Sequence, residues 1–189
     1  MTSLFPIQPQ FPEGFTYQDS FLTKEEETNL LDEVRKLDLH NMIFQGYTAN
    51  RKVASFGFDY SFDKRQLSKG KDIPEAFHRL IEKVAHHLSM DPSNFQELLV
   101  TEYPVGSVIN WHRDAPPFQL IAGISLLSDC IFRLRPYDKA KQGRASIISF
   151  PVSRRSLYII DGPARSEWEH SIRPVKEVRY SITLRTLIK

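Results

Sequence analysis

Apolar positions recur at three- and four-residue intervals early in the chain and later give way to alternation, which divides the sequence into a helical front and a strand-rich remainder. Leu30, Leu31, Val34 and Leu37 fall on one face after Thr23 and Glu26, which are spaced as a capping box, so a helix is predicted over about 24–38. Phe77, Leu80, Ile81, Val84 and Leu88 follow Pro74 at helical spacing, and Pro74 suits a first helical turn, so a second helix is predicted over about 74–89. From about Phe95 onward the runs are short and rich in β-branched and aromatic residues: "QELLVTEY", "LIAGISLL", "IFRLRPY", "ASIISF", "SLYII", "EHSIRPV" and "RYSITLRTL". Helices followed by closely spaced strands predict an α+β fold whose β part is a sandwich or rolled barrel. "FGFDYSF", Phe56 to Phe62, predicts further strands or a hairpin ahead of the second helix.

Length and composition narrow the class. The chain's 189 residues fit one domain spanning 1–189, with an extended lead-in over about 1–22 and no internal repeat. The apolar and charged fractions, 41% and 25%, are those of an ordinary globular protein, and no apolar run is long enough for a membrane span. The N-terminus lacks a signal-peptide pattern, so a cytoplasmic monomer is the expectation. A single cysteine, Cys130, excludes an internal disulfide and any Cys-rich metal site, leaving histidine and carboxylate as the ligands for a metal. The net charge of +2 leaves partners open.

Against that background "INWHRDAPPF" stands out. His112 and Asp114, two apart in extended backbone, point to one side and can reach one ion. Two histidines and a carboxylate on one face of an ion leave positions open for oxygen, and His170 in "WEHSIRPV" is the best candidate for the third ligand. On the last predicted strand Arg179, Ser181, Thr183 and Arg185 alternate with Tyr180, Ile182 and Leu184, giving one polar, doubly cationic face. That face is either solvated or turned to a ligand. A hairpin or tight return between His170 and Arg179 could bring the Arg179 guanidinium near the metal, where its planar fork suits a small dicarboxylate.

H-R-D at 112–114, "ARSEWEHSI" around His170 and "RYSITLR" at 179–185 are each common patterns alone and specific together. On them the chain resembles the AlkB family of iron(II)- and 2-oxoglutarate-dependent dioxygenases, from about Thr23 to Leu187. The resemblance implies a double-stranded β-helix, or jelly roll, with the N-terminal helices packed on one sheet. It implies His112, Asp114 and His170 as catalytic iron ligands. Arg179, helped by Tyr103, would hold the distal carboxylate of 2-oxoglutarate, with Arg185, Thr101 and Ser181 also in the cosubstrate site. The cofactors implied are Fe(II), 2-oxoglutarate and O2. The activity implied is oxidative demethylation of N-alkylated bases in single- or double-stranded DNA or RNA, a repair reaction releasing formaldehyde, succinate and CO2.

The segment over about 40–70 would form the substrate lid, with Arg51 and Tyr60 as its substrate contacts, and Trp111, beside a proposed ligand, is a third candidate substrate contact. Phe56, Phe58, Tyr60 and Phe62 also alternate as the packed face of an ordinary hairpin would. His78, His86 and His87 suit the surface of the second helix. Arg154 and Arg155, with Arg133, Arg135, Lys139, Lys141 and Arg144, form either a phosphate-binding rim or a solvated face. Three departures from the base-repair pattern bear on substrate. Thr101 and Ser181 stand where asparagines occur, and Pro116 stands where an acidic residue would hold the amino edge of a methylated adenine or cytosine. They favour weighing a second reading, the same oxygenase hydroxylating a tRNA base, a protein or another non-lesion substrate. A third reading is a non-catalytic jelly-roll binding module, which would turn over no 2-oxoglutarate.

Overall fold

A computed structural model describes residues 10–44, 47–61 and 64–188. Its elements in chain order are β1 (Phe15–Gln18), α1 (Lys24–Val34), β2 (His40–Phe44), β3 (Tyr47–Ser61), β4 (Gln66–Lys69), α2 (His78–His87) and β5 (Phe95–Tyr103). There follow β6 (Ile109–His112), β7 (Phe118–Leu126), β8 (Cys130–Pro136), β9 (Ile148–Val152), β10 (Leu157–Ile160), α3 (Gly162–Ser166), β11 (Trp168–Ile172) and β12 (Arg179–Leu187). The strands form a large sheet, β1-β10-β7-β12-β5-β3-β2 with β4 paired to β3, and a small sheet, β6-β11-β8-β9. This is the jelly roll expected from the sequence.

Each face of the large sheet has its own apolar cluster, because alternate residues of a strand point to opposite sides. Ile182 and Leu184 of β12, with Leu98 and Val100 of β5, join Leu30, Leu31 and Val34 of α1 and Leu80, Ile81 and Val84 of α2. Tyr103, Ile121 and Tyr158 look the other way and meet Phe132, Leu134 and Ile172 of the small sheet. The helices therefore cover one side of the large sheet, and the site lies on the other, between the sheets.

Both helices are shorter than their apolar spacing predicts. α1 has the full capping box at Thr23 and Glu26 and ends at Val34, after which Lys36 and Leu37 bond back in tight turns. Pro74 is extended, and Glu75–Phe77 form a single 3-10 turn before α2 begins at His78. Part of the lead-in is itself structured, since β1 is an edge strand pairing Phe15 with Ile160.

β3 serves two pairings. Lys52–Gly57 pair with β5 in the large sheet, while Phe58–Ser61 pair with β4 in a hairpin. The change occurs at Gly57, whose φ of +81° and approach to the Gln96 carbonyl admit no side chain. The hairpin expected over 56–62 is thus present as far as Ser61; Phe62 lies outside the described residues, as do Gln45, Gly46 and Asp63 of the expected lid. Phe56 is core, packed with the helices, and Tyr60 packs at the edge of the cluster between the sheets.

Candidate metal and cosubstrate site

β6 ends at His112 and β11 carries His170 directly opposite it, so the register alone brings the two imidazoles together. The pairing then slips: Ile172 faces Ile109, which leaves one extra residue on β6. Such a bulge turns a strand locally. Here it lets both Ile109 and His112 face the space between the sheets, where both line the cavity. The chain then leaves the sheet and presents Asp114. One nitrogen or oxygen from each of His112, Asp114 and His170 lies within 4.8 Å of the others, so the three can converge on one ion.

The surroundings decide which atoms are left for that ion. His112 Nδ1 lies 2.9 Å from the Asn110 carbonyl, which can only accept; Nδ1 therefore carries the proton, and Nε2 is left as the ligand atom. Asp114 Oδ1 accepts from Arg185 Nη2 at 2.7 Å and Nε at 3.1 Å. Oδ2 faces His170 Nε2 at 3.5 Å. Burial opposes ionisation of Asp114, but Arg185, His170 and His112 outweigh it and hold the carboxyl well below the usual carboxylate range. Burial, with His112 adding to it, pushes His170 down to about 3, so its ring is neutral and able to ligate. That ring also stacks on Phe132, with centroids 5.4 Å apart.

Two arginines hold this loop from behind. Arg185 reaches Glu97 Oε2 with Nη1 at 2.7 Å while gripping Asp114, so a buried carboxylate on β5 fixes the guanidinium that fixes the ligand. Arg165 of α3 donates to the backbone carbonyls of Asp114, Ala115 and Phe118 at 3.0, 2.8 and 3.1 Å. Sequence reading missed both Glu97 and Arg165 as site residues. Arg165 lies inside the quoted "ARSEWEHSI" stretch, and a lone acidic residue in the apolar run "QELLV" was the available hint of Glu97.

The polar face of β12 is buried, not solvated. Arg179 has no exposed surface, and its Nε donates to Ser125 Oγ at 3.1 Å. Its guanidinium lies over the Tyr103 ring at 4.8 Å. Among the described residues, Nη1 and Nη2 are buried and make no hydrogen bond. An unpaired buried cation is costly, and a guanidinium cannot shed its proton to escape the cost. Two free N–H groups on one planar fork fit a carboxylate, so these residues suit the distal end of 2-oxoglutarate. Tyr103 Oη is 3.4 Å from Ser181 Oγ, and Thr101 pairs with Ser181 across β5 and β12, which puts the other expected cosubstrate residues on the same wall.

Of the hairpin or tight return expected between His170 and Arg179, a hairpin is not how Arg179 arrives. β11 belongs to the small sheet and β12 to the large one, so the chain crosses between sheets, and β12 pairs with β5 and β7. Trp111, expected as a substrate contact, sits apart from Arg51 and Tyr60. It does not line the cavity; the alternation that sends His112 inward sends Trp111 to the outer face, beneath Arg133 and Arg135. Arg51 and Tyr60 do line the cavity, which has a volume of about 870 Å³ and is walled by Tyr103, His112, Asp114 and His170. Arg154 and Arg155 form no rim: Arg154 Nη2 pairs with the buried Glu27 of α1 at 2.7 Å, and Arg155 lies 3.8 Å from the same carboxylate. His78, His86 and His87 are exposed, as expected.

Comparison with known proteins agrees with this geometry. The chain is 28% identical over 174 residues to the Mus musculus tRNA (carboxymethyluridine(34)-5-O)-methyltransferase ALKBH8, with 87% of this chain covered and 25% of the relative. It is 31% identical over 169 residues to the Bos taurus RNA demethylase ALKBH5, covering 80% of this chain and 41% of the relative. It thus spans less than half the length of either. The solved structure of OsALKBH1 superposes over 96% of this chain and all of the other, with a TM-score of 0.73 at 14% identity, which shows the shared fold. The sequence profile of the 2OG-Fe(II) oxygenase superfamily matches residues 14–185. The chain belongs to that superfamily, with AlkB homologues among its relatives, and as such an oxygenase it uses Fe(II), 2-oxoglutarate and O2.

Proposed function

We propose that this oxygenase oxidises an N-methyl group on a nucleic-acid base in RNA or DNA, with His112, Asp114 and His170 holding iron and Arg179 holding the distal carboxylate of 2-oxoglutarate. The observation that carries the site assignment is the buried, unpaired Nη1 and Nη2 of Arg179 in the same jelly roll as the converging triad. Support for the substrate class comes from relatives that act on RNA and from a cavity large enough for a base, with Arg51 and Tyr60 on its wall.

Bound iron supplies a two-electron oxidation of a C–H bond by O2, with 2-oxoglutarate leaving as succinate and CO2. The protein's part is placement. Arg185 keeps one oxygen of Asp114 occupied, which would leave the other for the ion, and the Asn110 carbonyl keeps His112 in the tautomer that could ligate through Nε2. Arg179 and Tyr103 orient the cosubstrate from its far end. The segment over about 40–70 acts as the lid, with Arg51 and Tyr60 contacting the substrate. An N-hydroxymethyl product loses formaldehyde and restores the base.

Pro116, two positions after Asp114, offers no side-chain acceptor to a base's amino edge, and this favours a second reading, hydroxylation of a tRNA base without loss of carbon. The test is turnover by iron-loaded protein with 2-oxoglutarate and oligonucleotides bearing N-methylated adenine or cytosine, following succinate and formaldehyde together. Equal formation of both, abolished by His112→Ala, is the expected result. Succinate with an oxygen gained by the base and no formaldehyde selects the second reading.

A further inference from the structure

The strands that carry His112 and His170 have a second face. Along β8 and β11, Phe132, Leu134, His170 and Ile172 turn inward, so Arg133, Arg135, Glu169 and Ser171 turn outward. Trp111 of β6 joins them there. The Arg133 and Arg135 guanidinium carbons lie 4.7 and 4.4 Å from the centre of the Trp111 ring, so one indole supports two cations.

The charges on this face do not balance. Arg135 is paired with Glu169 at 2.7 Å. Arg133 donates only to the neutral Ser171 Oγ at 2.9 Å, and neither it nor the exposed Arg173 has a carboxylate partner among the described residues. Burial lowers the Arg133 pKa, and the nearby like charges of Arg173 and Arg135 lower it further. Such crowding costs free energy that a bound anion relieves, and a guanidinium stacked by one face can offer the N–H groups not already bonded to phosphate oxygens.

The patch also reaches the cavity. Arg113 lines the cavity mouth, donates to the Ser166 carbonyl at 2.8 Å, and stacks over the Tyr137 ring at 3.7 Å. Tyr137, immediately after β8, is 48% exposed and so offers an open aromatic surface at the edge of the arginines. Cations interleaved with accessible aromatic rings are the composition that binds a single strand, through phosphates and stacked bases together.

We propose that the outer face of the small sheet, Trp111 with Arg133, Arg135 and Arg173, continued by Arg113 and Tyr137, binds the phosphate backbone of the single strand whose target base enters the cavity. This rests on the nucleic-acid reading above. A base delivered as a short oligonucleotide fills the cavity without crossing this face, whereas a longer strand must engage it.

The test uses Arg133→Gln/Arg173→Gln in the full chain. Binding of a fluorescein-labelled, unmodified 15-nucleotide single strand is measured by anisotropy between 50 and 200 mM salt, and iron-loaded turnover is compared on methylated 15-mers and trinucleotides. Two lost phosphate contacts should weaken 15-mer binding at least tenfold and flatten the slope of log affinity against log salt by about 1.4, at roughly 0.7 per phosphate on a single strand. Turnover of the trinucleotide should be unchanged while the 15-mer's KM rises. Unchanged affinity and slope in a variant that still oxidises the base would overturn the patch and leave the function standing. Absence of base oxidation in the wild type, with the arginines instead required for a phosphopeptide or for anionic vesicles, would overturn both.

Discussion

Arg179 and Arg165 make separable demands on the site. Arg179 has two buried N–H groups awaiting a carboxylate, and hydrogen bonds to a charged group contribute about 1.5–3 kcal/mol each. Arg179→Met should therefore raise the Kd for 2-oxoglutarate by about 100-fold or more while leaving iron affinity within a few-fold, as calorimetric titration of each ligand would show. Arg165→Ala should do the reverse. It removes the donor that ties the Asp114, Ala115 and Phe118 carbonyls, so iron affinity should fall about tenfold or more with little change in 2-oxoglutarate binding, and Arg165→Lys should restore part of the loss. His112, Asp114, His170 and Arg179 could be picked out because each sits in a recognisable run of residue types. Glu97 could not, because nothing local to "QELLV" shows that Arg185 pairs with it across two strands.

At the level of elements, α1 is held to the jelly roll by more than its apolar face. Glu27, 1% exposed, accepts from Arg154 Nη2 and Nε, and from the Leu127 backbone N–H at 2.9 Å, so one carboxylate joins the helix to the turns after β7 and β9. Glu27→Ala leaves a guanidinium and an amide without their partner and should cost roughly 3 kcal/mol in denaturant unfolding, far more than the sub-kcal/mol value of an exposed pair. Helix positions were legible because a 3.6-residue period and a capping box are local signals. Their ends were not. Leu37 continues the apolar period yet lies in a turn, because the chain must leave the helix to begin β2 at His40. β6 also escaped the sequence reading, since four residues with a bulge show no alternation.

At the scale of the molecule, the site is an unfavourable arrangement held in place by the two sheets. His170 is buried neutral, with its pKa pushed down to about 3, whereas an unfolded histidine titrates near 6.5. The unfolded chain then binds more protons across that window, so stability rises with pH there. Metal-free protein should be fully stabilised by this group above about pH 6.5 and lose that contribution progressively as pH falls towards about 3. Melting temperature measured against pH in the presence of chelator should show this loss, and His170→Gln should flatten it. The lowered pKa of Asp114, which favours its ionised form in the folded protein, acts in the same direction at the acid end, below about pH 4.

The sequence by itself determined the residue types, the two helices, most of the strands and the membership of one polar face on β12, because these depend on periods of two and 3.6 and on short motifs. Tertiary structure alone decided where that face looks. It put Arg179 and Arg185 inside the jelly roll by pairing β12 with β5 and β7, and it joined Arg185 to Glu97 and Asp114 from three separate segments. It also sent Trp111 outward beneath two arginines while its neighbour His112 turned in. The physical reason is the same in each case: a strand's pattern states which residues share a side, and only its pairing states what lies on that side.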